Sequence, residues 1–162
     1  MMRKAVLAGS FDPITLGHMD ILTRGAGLFD EVVIACGNNP AKKYLQSLDV
    51  RLGVLEECTA HIPNVRVDSF SGLLVDYCAD IKAQVILRGL RAVSDFDFEF
   101  QIGLANKNLA PKVETVFLLT DSQYIFVSSS LVKEIASNGG DVASYVPPAA
   151  LKSLLHSLSE DS

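Results

Sequence analysis

Four apolar runs and one alternating stretch mark out the chain, and residues at helical spacing follow each of them. Ala5-Val6-Leu7-Ala8, Glu31 to Cys36, Asn64-Val65-Arg66-Val67, Val85-Ile86-Leu87 and Thr115 to Leu119 read as strands. The fourth is short and wholly apolar, as parallel strands buried on both faces are. Helical spacing appears in Ile21, Leu22, Gly25, Leu28 and Phe29. It recurs in Val50, Val54, Leu55 and Cys58, with Asp49 as the cap, and in Leu73, Leu74, Tyr77, Cys78 and Ile81 after a break at Gly72. Leu131, Val132, Ile135 and Ala136 form a helix that ends at Gly139-Gly140, and Leu151, Leu154, Leu155 and Leu158 form the last. Strands alternating with helices imply an α/β fold with a doubly wound, five-stranded parallel sheet.

Residues 94–109 carry two signals. Phe96, Phe98, Phe100 and Ile102 alternate with Asp97, Glu99 and Gln101 in the manner of a strand. Yet Ser94-Asp95-Phe96-Asp97 fits a capping box, and no turn signal interrupts the run to Leu109. The spacing predicts a helix with two apolar faces, Phe96/Phe100 and Phe98/Ile102. One face is expected on the sheet, the other against a partner subunit.

Three strand ends carry candidate anion chemistry. After the first strand, Gly9 and the turn Asp12-Pro13 lead to Gly17-His18 at a helix start. Free N–H groups and the positive dipole end favour a phosphate there. His18 adds a donor, and its cationic form would add charge; it is otherwise a solvated polar residue. The fourth strand stops in Arg88-Gly89-Leu90-Arg91. Guanidinium forks match phosphate oxygens, unless these pair with Asp95 or Asp97 instead. After the fifth strand, Ser128, Ser129 and Ser130 open a helix with hydroxyls and N–H groups together; ordinary capping needs one of the three. Behind the second strand and the turn Gly37-Asn38-Asn39-Pro40 come Lys42-Lys43-Tyr44, an anion-holding loop or a solvated tip. One crevice at the carboxyl ends can gather the three sites. His61 and His156 read as surface or structural residues.

Composition narrows the classes. A length of 162 residues suits one domain, with a helical extension from about 141, and 49% apolar residues make it globular. A net charge of -5 argues against a nucleic-acid partner. The three cysteines, Cys36, Cys58 and Cys78, have no C-x-x-C spacing and suit reduced, buried thiols. No apolar run approaches the roughly 20 residues of a membrane span, so no membrane partner is expected. The basic start at Met1 to Lys4 precedes too short an apolar run for a leader, which points to the cytoplasm.

Taken together, the residues resemble the nucleotidyltransferases with an H/T-x-G-H motif, and within them the bacterial phosphopantetheine adenylyltransferases. The carrying residues are Gly9 to Pro13, Thr15-Leu16-Gly17-His18, Lys42, Arg88 to Ala92 and Ser128 to Glu134, and the likeness runs from about residue 3 to about 155. It implies a Rossmann-like nucleotidyltransferase fold and the penultimate step of coenzyme A synthesis. There the phosphate of 4'-phosphopantetheine attacks the α-phosphorus of ATP, with Mg²⁺ held by the phosphates and not by a side-chain metal site. A homohexamer and feedback inhibition by coenzyme A are implied as well. No nucleophilic side chain is needed, in keeping with a sequence that offers anion donors but no Ser-His-Asp or Cys-His set.

By the same resemblance, His18 would stabilise charge at the α-phosphorus, with Ser10, Lys42 and Arg91 completing the catalytic set. Ser10, Lys42 and Arg88 would hold the acceptor phosphate, and Leu74 would line the pantetheine arm. Phe11, Gly89, Leu90, Arg91, Glu99, Tyr124, Ile125, Phe126, Val127, Ser128, Ser129 and Ser130 would bind ATP together with Ser10 and His18. The family's usual Thr before Phe11 is here Ser10, which keeps the hydroxyl but loses the methyl that restricts it. Thr15 in the first motif position leaves one catalytic histidine. Two other readings use the same residues: a sister enzyme acting on nicotinate mononucleotide or glycerol 3-phosphate, and a non-catalytic adenine-nucleotide or coenzyme A sensor.

Overall fold

A strand covered on both faces needs apolar side chains at successive positions, and two stretches near the amino end supply them. They are β1 (Lys4–Gly9) and β2 (Glu31–Gly37), whose inner residues are all buried. In the computed structural model, which describes residues 2–161, three further strands complete the sheet. These are β3 (Val65–Phe70), β4 (Val85–Leu90) and β5 (Glu114–Leu119), in the parallel order β3-β2-β1-β4-β5. The helices are α1 (Leu16–Leu28), α2 (Leu48–Thr59), α3 (Leu74–Asp80), α4 (Val93–Leu109), α5 (Ser129–Ser137) and α6 (Pro148–Glu160), with a short 3₁₀ turn at Ser122–Tyr124. Met1 and Ser162 lie outside the described residues.

Alternate strand residues face opposite layers. Leu7, Val32, Ile34 and Leu87 pack with Ile21 and Leu22 of α1, Leu55 of α2, Val132 of α5 and Leu154 of α6. Val6, Val33, Ala35 and Ile86 pack instead with Val75 and Cys78 of α3. The sheet is thus doubly wound, as the strand and helix alternation predicts. The winding reverses between β1 and β4, and the crevice at their carboxyl ends is where such folds place ligands. Cys36, Cys58 and Cys78 are buried free thiols.

Several boundaries differ from expectation. β4 does not stop at Leu87: Arg88, Gly89 and Leu90 stay in register with Phe117, Leu118 and Leu119. Backbone pairing with β5 outweighs the polar side chain. Gly89 is required there, because a Cβ would sit 2.9 Å from Ile21. Ser47, not Asp49, caps α2 by accepting from Val50 N at 3.3 Å; Asp49 stands in the first turn, where a carboxylate still suits the dipole. α4 starts at Val93 with Ala92 as its cap and no side-chain capping bond, so Ser94 and Asp95 already lie inside it.

The two-faced helix is also corrected. Neither Phe pair of α4 is buried: Phe96, Phe98, Phe100 and Ile102 are all exposed, and Glu99 is the helix's one buried residue. The inner stripe is Asp95, Glu99, Gly103 and Asn106, at i, i+4, i+8 and i+11. α4 meets the sheet through this polar stripe because Glu99 answers a cation that β4 supplies.

Candidate active site

Thr15 is extended, and its hydroxyl accepts from His18 N at 3.3 Å. In return, His18 Nδ1 accepts from Thr15 N at 3.0 Å. This reciprocal cap fixes the imidazole at the first turn of α1. With Nδ1 accepting, the ring proton belongs on Nε2. Burial, then the Arg88 and Arg91 charges, lower the His18 pKa to about 4. His18 is therefore neutral at pH 7, and the cationic alternative from the sequence is corrected: positive charge here comes from the arginines. The ring of Phe11 stands edge-on to His18 at 5.1 Å between centroids and is buried, close against Gly9.

His18 lines a cavity of about 270 Å³, together with Gly17, Gly89, Arg91, Tyr124 and Ser128. A second, more open cavity of about 570 Å³ is lined by Ser10, Asn39, Lys42, Tyr44 and Phe70. The two share Ala8, Gly9 and Arg88. A groove of about 130 Å³ holds Leu74, Ile102 and Asn106, and Arg88 and Glu99 border it as well. Arg88 therefore faces all three spaces from the reversal point of the sheet.

In the second cavity Lys42 Nζ donates to Ser10 Oγ at 2.8 Å, which joins two residues 32 positions apart. Arg88 is gripped in bidentate fashion by Glu99, with Nε at 2.9 Å and Nη2 at 2.6 Å, while Nη1 donates to Ala8 O at 3.1 Å. Arg91 pairs with Asp95 at 3.3 Å and donates to Val127 O at 3.3 Å. Both arginines thus have a carboxylate partner, Glu99 for Arg88 and Asp95 for Arg91, and both still line the cavity wall.

The three serines have separate duties. Ser128 Oγ caps α5 by accepting from Leu131 N at 3.1 Å. Ser129 Oγ donates to Pro13 O at 2.7 Å and ties α5 to the loop after β1. Ser130 is exposed. Tyr124, Val127, Ser128 and Ser129 reach the His18 cavity, whereas Leu90, Ile125, Phe126 and Ser130 are not on its wall. Ile125 and Phe126 are exposed, and Phe126 rests edge-on against Tyr145.

Sequence reading missed two buried polar side chains behind the site. Asp12, read as a turn residue within the Gly9 to Pro13 motif and given no role in the site, accepts from Leu45 N at 2.8 Å, Gln46 N at 3.0 Å and Lys133 Nζ at 3.4 Å. Its motif position was the available signal. Arg51 bonds to the backbone of three separate segments, and nothing in its local pattern marks it. Among the described residues no cluster of three His, Cys, Asp or Glu side chains could hold a metal ion, and no helix is long and apolar enough to cross a membrane.

The cytidylyltransferase-like family model matches residues 6–135. The phosphopantetheine adenylyltransferase of Heliobacterium modesticaldum is 57% identical over 150 residues, which cover 93% of this chain and 89% of that protein. The phosphopantetheine adenylyltransferase of Caldanaerobacter subterraneus is 52% identical over 154 residues, 95% of this chain and 96% of its own length. Among solved structures, "a Putative Nicotinate-nucleotide Adenylyltransferase from Vibrio parahaemolyticus" aligns with a TM-score of 0.76 at 16% identity, over 100% of this chain and 98% of that one. That likeness shows the fold alone.

Proposed function

This chain belongs to the phosphopantetheine adenylyltransferases of the cytidylyltransferase-like family, and we propose on that premise that it transfers the adenylyl group of ATP to 4'-phosphopantetheine, giving dephospho-coenzyme A and pyrophosphate. The observation that carries the reading is the pair of cavities meeting at Gly9 and Arg88. One has the His18, Arg91 and serine-helix donors that a nucleotide triphosphate needs. The other has the Ser10–Lys42 pair that an acceptor phosphate needs.

In this reading ATP lies in the His18 cavity. Tyr124, Val127 and Gly89, on its wall, hold the nucleoside; Leu90, Ile125 and Phe126 adjoin these residues in the chain, and Phe11 stands against Gly9 and His18. The start of α5 and Arg91 take the outer phosphates. An oxygen of the acceptor phosphate forms a bond to the α-phosphorus, and the bond from that phosphorus to pyrophosphate breaks, with the electron pair leaving on pyrophosphate. Lys42 and Arg88 bind the acceptor phosphate and offset the repulsion between two anions. Ser10 accepts from Lys42, so its own proton is free to orient the attacking group. Neutral His18 donates from Nε2 to the charge developing on the α-phosphate, without a proton transfer of its own. Glu99 keeps the Arg88 fork aimed, and Leu74 lines the groove that takes the pantetheine arm. Catalysis is positioning plus charge stabilisation.

The cationic and hydroxylic donors suit the phosphate oxygens of ATP, and Mg²⁺ would be carried on those phosphates. Mg²⁺ bound there supplies neutralisation of phosphate charge. A row of apolar side chains on α4, with Phe98 65% exposed, supports assembly with further copies of this chain, read as a homohexamer. Coenzyme A carries both the pantetheine arm and an adenylyl group, so it would compete for both cavities.

The test is the stereochemical outcome with ATP made chiral at the α-phosphorus. Inversion in the dephospho-coenzyme A formed is expected for one in-line displacement. Retention would mean a covalent adenylyl-enzyme, and absence of that product would remove the substrate assignment.

A further inference from the structure

Arg51 sits in the first turn of α2 and is only 1% exposed. A buried guanidinium usually meets a carboxylate. Here every bond goes elsewhere. Nε donates to Gln46 O at 3.1 Å, and Nη1 donates to Ser10 O at 2.9 Å, Gly37 O at 3.1 Å and Cys36 Sγ at 3.2 Å.

Those acceptors form a pattern. Gly37 ends β2 and Gln46 ends the loop that carries Lys42. Ser10 is the residue whose hydroxyl Lys42 touches. One side chain therefore ties both ends of the Lys42 loop to the carbonyl of Lys42's own partner. The Tyr44 ring of the same loop lies 3.9 Å from the guanidinium carbon and shields it from water, and Tyr44 Oη accepts from Asn39 N at 2.9 Å. Asp12 secures the same turn from the other side through Leu45 N and Gln46 N.

We propose that Arg51 is a positioning residue for the acceptor-phosphate site, holding the Lys42 ammonium and the Ser10 hydroxyl together before the anion arrives. Exposed lysine loops are ordinarily mobile, and ordering one on binding weakens affinity. Arg51 removes that cost by ordering the loop in advance. Only a planar fork can reach separate carbonyls while stacking on a ring, so lysine is a poor substitute. The naming of the anion as the phosphate of phosphopantetheine rests on the proposed transfer reaction; the positioning role rests on the contacts alone.

The discriminating quantity is the gain from the phosphate itself: the Kd of pantetheine divided by that of 4'-phosphopantetheine, measured by calorimetry on the whole protein. Arg51→Met and Arg51→Lys are each expected to shrink that ratio about tenfold, while Kd for ATP and for pantetheine stays within about twofold. Tyr44→Leu, which leaves Arg51 in place but uncovers it, and also removes the ring 5.7 Å from the Lys42 ammonium, is expected to shrink the ratio about threefold and serves if the Arg51 variants do not fold. Uniform weakening of all three ligands would make Arg51 a stability residue and overturn the proposal. So would an unchanged ratio in Tyr44→Leu, or full recovery in Arg51→Lys. A wild-type protein that does not prefer the phosphorylated ligand would instead fail the substrate reading, and the acceptor-site role with it.

Discussion

The Lys42 ammonium donates to the Ser10 hydroxyl at 2.8 Å, across the loops that leave β2 and β1. Ser10 keeps the one atom this contact needs. Ser10→Thr adds only a methyl that restricts the rotamer. Steady-state kinetics are expected to show retained activity with a slightly lower KM for phosphopantetheine. Ser10→Ala removes the hydroxyl and is expected to raise that KM about tenfold, with KM for ATP nearly unchanged. A Ser10→Thr variant that is much less active would contradict the account.

His18 is the single neutral donor aimed at the reacting phosphorus in this scheme. His18→Ala is expected to lower kcat by about 10²–10³-fold, the usual loss for one transition-state donor, while calorimetry shows ATP binding largely kept. Near-normal turnover would remove His18 from the mechanism.

Its ionisation also sets a pH dependence. The folded protein holds the imidazole neutral down to about pH 4, against an ordinary value of 6.5. Between those values the unfolded chain binds more protons, so stability contributed by His18 is complete above pH 6.5 and is lost as pH falls toward 4. Urea midpoints measured from pH 7.5 to 4.5 are expected to fall less steeply in His18→Ala than in the parent. Equal slopes would show that the imidazole is protonated normally in the fold.

Strands were legible wherever both faces are apolar, as in Val6-Leu7-Ala8 and Val32 to Cys36. Arg88-Gly89-Leu90 was not, because its strand character lies in backbone pairing with β5 and not in its side chains. The same segment shows why the candidate site was half legible. Residue types at strand ends announce anion chemistry, but Glu99 gripping Arg88, or Arg51 reaching three segments, exists only once distant turns meet. In α4 the Phe alternation misled, since the inward stripe is the polar one.

That outward apolar face carries its own consequence. Phe98 is 65% and Leu104 56% exposed on α4. Phe98→Glu places charge where copies of this chain are proposed to meet and is expected to yield monomers by light scattering, with the far-ultraviolet spectrum unchanged. An unaltered assembly would move the interface off α4.

The most direct measurement is pyrophosphate release by the purified protein with ATP and Mg²⁺, offered 4'-phosphopantetheine, nicotinate mononucleotide or glycerol 3-phosphate in turn. The account predicts release with 4'-phosphopantetheine alone. Release with either other acceptor would keep the fold and the in-line scheme but contradict the substrate, and silence with all three alongside binding of ATP or coenzyme A would contradict catalysis altogether.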